Sequence, residues 1–293
     1  MTLRFLPLLL CAALVPGASL KVHISVDMEG VAGVVTDDQL GPAGFEYARF
    51  REFMTREALA AISGAKKAGA TEILVADSHG NGENLLIERL PSDVRLIRSW
   101  PRRQGMMAGI DRGFDAAIFI GYHASTTNPK GVRAHTFRSG TLTRVALNGV
   151  NITEGAFSAA LAGHFGVPVV MMSGDDAAIE EVRSLVGPIE AAETKKNLGF
   201  HSANTITPEA SAVLIEQKVQ AALARRKDFK PYVVKTPVTV DISFKNYLPA
   251  EVLSYLRGVE RTDSHSIRFV GRDMLEVSDF VQVVTNYNAG LQP

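Results

Sequence analysis

The feature that most constrains this chain is a set of short runs, apolar at consecutive positions and rich in β-branched residues, set apart by longer amphipathic stretches. They are KVHISVD from Lys21, TEILVAD from Thr71, AAIFIGY from Ala116 and VPVVMMSGDD from Val167. A strand with one wet face alternates apolar and polar residues, whereas a run that is apolar position after position is covered on both faces. Such runs, separated by helical segments, predict a mostly parallel sheet covered by helices, an α/β architecture. The first covering helix runs from about Glu46 to Lys67, and another from about Thr153 to Phe165, capped by Asn151 or Thr153. Between Ala134 and Asn151 the residues alternate and carry Asn148-Gly149, which predicts an antiparallel hairpin insertion. Past Lys195 the texture changes to a helix from about Pro208 to Arg226, the strand PVTVDISF, a helix near Ala250 to Arg257, strand pieces around Ser266 to Val270 and a last helix to about Thr285. The expected organisation is therefore an export signal over 1–19, a metal-binding α/β lobe over 20–194 and a smaller α+β lobe over 195–293, with the polar stretch from about Lys195 to Thr207 as the linker.

The signal rests on Arg4, an apolar stretch from Phe5 to Val15 and small residues from Gly17 to Ser19. The apolar stretch is well short of the ~20 residues of a permanent membrane span, and Pro7 and Pro16 argue against a buried helix. Cleavage near residues 18–20 removes Cys11, the single cysteine, so the exported chain, periplasmic or secreted, carries no disulfide. A lipid anchor at Cys11 is the lesser alternative, because little apolar sequence precedes it. Lysine plus arginine and aspartate plus glutamate both number 31, and neither sign forms a long block. No footprint for nucleic acid or an anionic membrane results.

The chemistry gathers at strand ends. Asp27 and Glu29 close the first apolar run in SVDMEG, LVADSHG ends on His79, FIGYHA on His123, and GVNITEG places Glu154 in a first helical turn. Residues i and i+2 of a strand share a face, so Asp27 and Glu29 converge if the extended geometry persists. Like charges held that close need a proton or a cation. Ligands of open α/β sheets bind beyond the carboxyl ends of strands, which puts all five residues on one edge. The three acids bring −3 and the histidines are neutral ligands, so one divalent ion leaves the cluster at −1 and two leave it at +1. Five donors exceed a single tetrahedral zinc with an open position but suit two ions about 3.5–4 Å apart with a bridging carboxylate. Imidazole with carboxylate favours zinc over magnesium or calcium.

The segments SVDMEGVAGV, VADSHG, GYHA, AHTF and TEGAFSAALAGHFGVPVVMMSGDD, in that order, resemble the zinc-dependent D-aminopeptidase family of bacterial metallopeptidases, which release N-terminal D-amino acids such as D-alanine. The resemblance implies that Asp27 bridges two zinc ions per subunit, that Glu29 and His123 complete one ion and His79 and Glu154 the other, and that His135 of AHTF is the catalytic histidine. It also implies a ring-shaped homo-oligomer, a decamer, enclosing the active sites. This chain departs from the family pattern at Arg133, where an apolar residue is expected, and at NLGFHS, which supplies no arginine after Lys195.

The expected function is thus a dinuclear zinc aminopeptidase acting on short peptides with an N-terminal D-residue of the D-Ala type. The ions acidify a water and polarise the scissile carbonyl. His135, read as lying on a strand leading back to the site, moves a proton from water to the leaving amine. Asp175 and Asp176 follow another sheet strand and are the available acids for the substrate ammonium, or else a helix cap; Asp77 is either an orienting partner for His79 or a turn residue. His23, His164, His201 and His265 are structural. Two other readings compete. A two-metal phosphoesterase requires basic groups near the site, with Arg133 and Arg138 as candidates. A secreted metal- or solute-binding protein requires no histidine beside the ions.

Overall fold

The computed structural model describes residues 19–287. Residues 1–18, which hold nearly all of the expected export signal and Cys11, lie outside them. The elements are β1 (Leu20–Val26), α1 (Tyr47–Lys67), β2 (Ala70–Asp77), β3 (Arg95–Ile97), β4 (Ala116–Tyr122), β5 (Leu142–Leu147), β6 (Val150–Asn151), α2 (Glu154–His164), β7 (Val169–Asp175), α3 (Asp176–Val186), β8 (Glu190–Gly199), β9 (Ser202–Thr205), α4 (Pro208–Ala224), β10 (Val238–Phe244), α5 (Tyr247–Leu253), β11 (Val259–Arg261), β12 (Ser266–Gly271) and α6 (Met274–Asn286). No described helix is long and apolar enough to cross a membrane.

The first sheet has seven strands in the order β3-β2-β1-β4-β7-β8-β9, all parallel except the antiparallel pair β8/β9. Every residue of β4 and β7 is buried, as the unbroken apolar runs predict. Helix α1 packs on α4, and α2 on α3, over this sheet. The order reverses beside β1, whose neighbours are β2 on one side and β4 on the other. Such a switch point opens a crevice at the carboxyl ends of the strands.

The second sheet, β11-β12-β10-β5-β6, is antiparallel and draws on both expected lobes. The hairpin is real but narrower than read: β5 and β6 turn through Asn148 (φ 48°) and Gly149 (φ 83°), the left-handed pair that a two-residue turn demands. The hairpin pairs with β10 and so belongs to the second sheet rather than inserting into the first. A boundary at residue 195 falls inside β8. The stretch read as a linker is an edge hairpin, β8/β9, polar because one side of an edge ladder faces water.

Candidate metal centre

Backbone contact at the switch point builds the site. Strand β1 ends at Val26, and Asp27 N–H still bonds to Ile120 O (2.7 Å), after which the chain turns and Gly30 N–H bonds to Gly121 O (2.7 Å). A Cβ on Gly30 would sit 2.2 Å from Tyr122 O, and one on Gly121 2.2 Å from Asp27 O, so only glycine permits this approach. Glu29 therefore reaches the cluster through a turn and not through a persisting strand pleat. Its backbone is held by Lys195, whose buried ammonium donates to the carbonyls of Glu29, Val31 (2.9 Å) and Val34 (2.6 Å).

The five expected donors meet, together with His135, in three overlapping groups. The carboxylates of Asp27 and Glu29 face His79 Nδ1 at 3.3 and 2.9 Å. Those of Asp27 and Glu154 face His123 Nε2, both at 3.4 Å. Donor atoms within each of the groups Asp27-Glu29-His79, Asp27-His123-Glu154 and Glu29-His123-His135 lie within 4.8 Å of one another. Asp27 is common to the first two, and Glu29 lies with His79 in one group and with His123 in another. Each imidazole has its other nitrogen on a backbone carbonyl, His79 Nε2 on Leu40 O (2.7 Å) and His123 Nδ1 on Ala124 O (3.0 Å). This second bond fixes the tautomer that turns a lone pair inward, as for metal-binding histidines. His135 stacks on His123 with ring centroids 4.0 Å apart. Its Nδ1 bonds to Arg133 O (2.9 Å), and its Nε2 lies 3.8 Å from Glu29 and 3.7 Å from Glu154. It sits in the loop between β4 and β5, not on a strand as expected.

The cluster is short of positive charge. None of its three carboxylates forms an ion pair with a lysine or arginine among the described residues, and Asp27 Oδ2 and His123 Nε2 are buried without a hydrogen-bond partner. Burial, then the Glu29 charge, push the Asp27 carboxyl up to about 8. Burial disfavours the charged imidazole of His123, yet the Glu154, Asp27 and Glu29 carboxylates raise it to about 10, and His79 rises through Glu29 and Asp27 in the same way. Burial also works to raise Glu29 and Glu154, but the imidazoles hold both below the ordinary carboxylate range. His135 moves oppositely, lowered by burial and by His123. Three buried carboxylates whose mutual field raises Asp27 and both imidazoles, with no lysine or arginine to offset it, are a donor set that fits divalent cations.

Residues 20–283 match the D-aminopeptidase family of peptidases. This chain belongs to that family. The D-aminopeptidase of Bacillus subtilis (strain 168) is 33% identical to it over 267 residues, 91% of this chain and 97% of that one. Among solved structures, the zinc-dependent D-aminopeptidase DppA from Bacillus subtilis, a self-compartmentalizing protease, matches with a TM-score of 0.87 at 32% identity, over 91% of this chain and 97% of that chain.

In this family member a cavity of about 250 Å³ opens over the donors. Its floor includes Asp27, Glu29, Glu154, His79 and His135, its apolar wall includes Phe137, Phe157 and Leu161, and Gln282, Thr285 and Asn286 of α6 close its far side. Asp175 and Asp176 do not line it. Asp175 is buried and accepts from Val132 N–H (3.1 Å), and Asp176 bonds to Ala177 and Asn197 N–H at the start of α3. Asp77 orients no imidazole; it holds the following loop through Asn84 and Leu85 N–H at 2.6 and 2.7 Å. Arg133 also stays out of the cavity, paired with Asp37 and lying over the Phe200 ring. The α6 residues and the 2.6 Å bond from Phe137 N–H to Glu154 went unseen in the sequence. No local pattern marks them: α6, packed on β10 and β12, reaches the site by packing on α2, and the bond joins the loop before β5 to the first turn of α2.

Proposed function

We propose that the protein is a dinuclear zinc D-aminopeptidase that removes an N-terminal D-residue, of the D-Ala type, from short peptides. The observation that carries this is the sharing of Asp27 between two donor triads, Asp27-Glu29-His79 and Asp27-His123-Glu154. Zinc fits the mix of imidazole and carboxylate, and the zinc-dependent relative supports that choice. When bound, two zinc ions supply an acidified water and a Lewis-acid contact for the scissile carbonyl. Asp27 would serve both positions, and Glu29, His79, His123 and Glu154 would complete them. His135 presents Nε2 to the cavity, its Nδ1 being engaged with Arg133 O. It takes a proton from the attacking water and returns one to the leaving amine. Among the described residues the three donor acids are the only carboxylates lining the cavity, which supports holding the substrate's amino group at the cluster itself in place of Asp175 or Asp176.

Metal-loaded protein is to be incubated with D-Ala-D-Ala and with L-Ala-L-Ala, and released amino acid measured. Release from the D-peptide alone is expected; cleavage of neither, with hydrolysis of a generic phosphate ester, reverses the assignment in favour of a phosphoesterase. Metal analysis of Glu154→Ala is expected to drop from two ions per subunit to one or fewer, and an unchanged count refutes the two-ion site.

The working form proposed is an exported homo-oligomer, a decameric ring. Export is supported by the N-terminal pattern of Arg4, the apolar stretch and the small residues after it. Assembly is supported by the self-compartmentalizing relative and by the exposed Tyr247, Leu248, Val252 and Tyr255 on and just after α5, an apolar patch of the kind that subunit contacts cover. N-terminal sequencing of the protein from cell fractions and sedimentation velocity test the two parts.

A further inference from the structure

Among the described residues lining the cavity, Arg138, an exposed side chain, is the single lysine or arginine. It follows His135 by three residues, and the turn that delivers it is strained: Phe137 adopts φ 59°, in the left-handed region that a bulky residue rarely enters. That conformation points Phe137 N–H at Glu154 and sets its ring edge-on to Phe157 at 5.2 Å. On the other side, the N–H groups of Thr141 and Leu142 bond to Arg138 O at 3.1 and 2.9 Å. The Arg138 backbone is therefore anchored to a metal donor before it and to β5 after it. Its guanidinium makes no hydrogen bond or ion pair with any described residue. The neighbouring arginines are committed by contrast. Arg133 pairs with Asp37, and Arg102 donates to Gly105 O and Asp77 O while lying over Trp100.

The exposed guanidinium of Arg138 has no partner among the described residues and matches a carboxylate in a two-pronged geometry. The anion that arrives with a short peptide is its C-terminal carboxylate. In a dipeptide that group lies one residue beyond the scissile carbonyl, a span of about 3.3–3.6 Å, so a small cavity holds both ends at once. We propose that Arg138 binds the C-terminal carboxylate of the substrate and makes this chain select dipeptides over longer or amidated peptides. The inference rests on the D-aminopeptidase reading and deepens it.

The test compares kcat/KM for D-Ala-D-Ala, its C-terminal amide and D-Ala amide, using metal-loaded native protein, Arg138→Gln and Arg138→Lys. Native protein is expected to favour the free acid over its amide by about 10- to 100-fold, the worth of one charge-assisted pair. Arg138→Gln is expected to bring that ratio near one, the loss falling on the acid through KM, and Arg138→Lys to keep part of it. A dipeptide with a reduced peptide bond reports binding without turnover: it is expected to raise the melting temperature of native protein and not of Arg138→Gln. Equal native rates on acid and amide overturn the inference alone. A loss of metal from a folded Arg138→Gln, checked by circular dichroism, overturns it too, because Arg138 would then be a counter-charge to the donors. Failure of native protein to cleave any D-Ala compound, D-Ala amide included, overturns the D-aminopeptidase reading and the inference with it.

Discussion

Two buried charge sites lie at the same edge of the seven-stranded sheet, and they differ in what they lack. At Lys195 a cation is enclosed and each of its three donors has a backbone carbonyl to receive it. Burial brings its ammonium down to about 8, which leaves it charged at neutral pH. At Asp27, Glu29 and Glu154 the acids are enclosed with imidazoles, and Asp27 Oδ2 and His123 Nε2 have no partner. The first site is complete within the chain and serves the fold. The second gathers acids and imidazoles in groups that can hold a metal ion, which is the physical mark of a functional centre as opposed to a structural one.

The sharpest way to break that contrast is to remove the shared donor. Asp27→Ala is expected to lower kcat/KM on D-Ala-D-Ala by at least ~10³-fold, about 4 kcal/mol in transition-state terms. In the metal-free chain it is expected to leave unfolding free energy unchanged or raised, since repulsion with Glu29 is relieved; urea titration reads this. Lys195→Met is expected to do the reverse to stability, costing about 3–5 kcal/mol by stranding three buried carbonyls. A loss below about 1 kcal/mol would make the two sites alike and void the distinction.

His23 sharpens the comparison by pH. It lies in the core of β1, four residues before Asp27, and burial brings it from 6.5 to about 4. Because the folded value is the lower one, the unfolded chain takes up the proton first as pH falls. The contribution is therefore full above about pH 6.5 and is lost progressively toward pH 4. Unfolding free energy of the metal-loaded protein is expected to fall by about 2 kcal/mol more between pH 7 and pH 5 in the native chain than in His23→Phe. The smallest effect is expected at Asp176, which does not line the cavity: Asp176→Asn should leave KM within about twofold. A tenfold rise would return it to the substrate.

Much of this was legible in the residues. The four runs apolar at successive positions become buried parallel strands, and the acids and histidines at their ends converge because parallel strands all deliver their carboxyl ends to one edge. What misled was polar sequence near the surface. The edge hairpin β8/β9 reads as a linker, because an edge strand needs no alternation of apolar residues to be stable, only a paired neighbour. Asp175 and Asp176 follow a strand just as Asp27 does, yet they serve the start of α3 and the loop around Val132. Their strand lies one place further from the switch point beside β1.

That the apolar runs form a mostly parallel sheet, and which acids and histidines are candidate donors, follow from the amino-acid sequence alone, since periodicity and donor chemistry are local. The order of the strands, where His135 sits, and the presence of Arg138 and α6 around the cavity were decided by tertiary structure. Those relations depend on two glycine-permitted backbone contacts, on a left-handed turn at Phe137 and on the packing of α6 against α2.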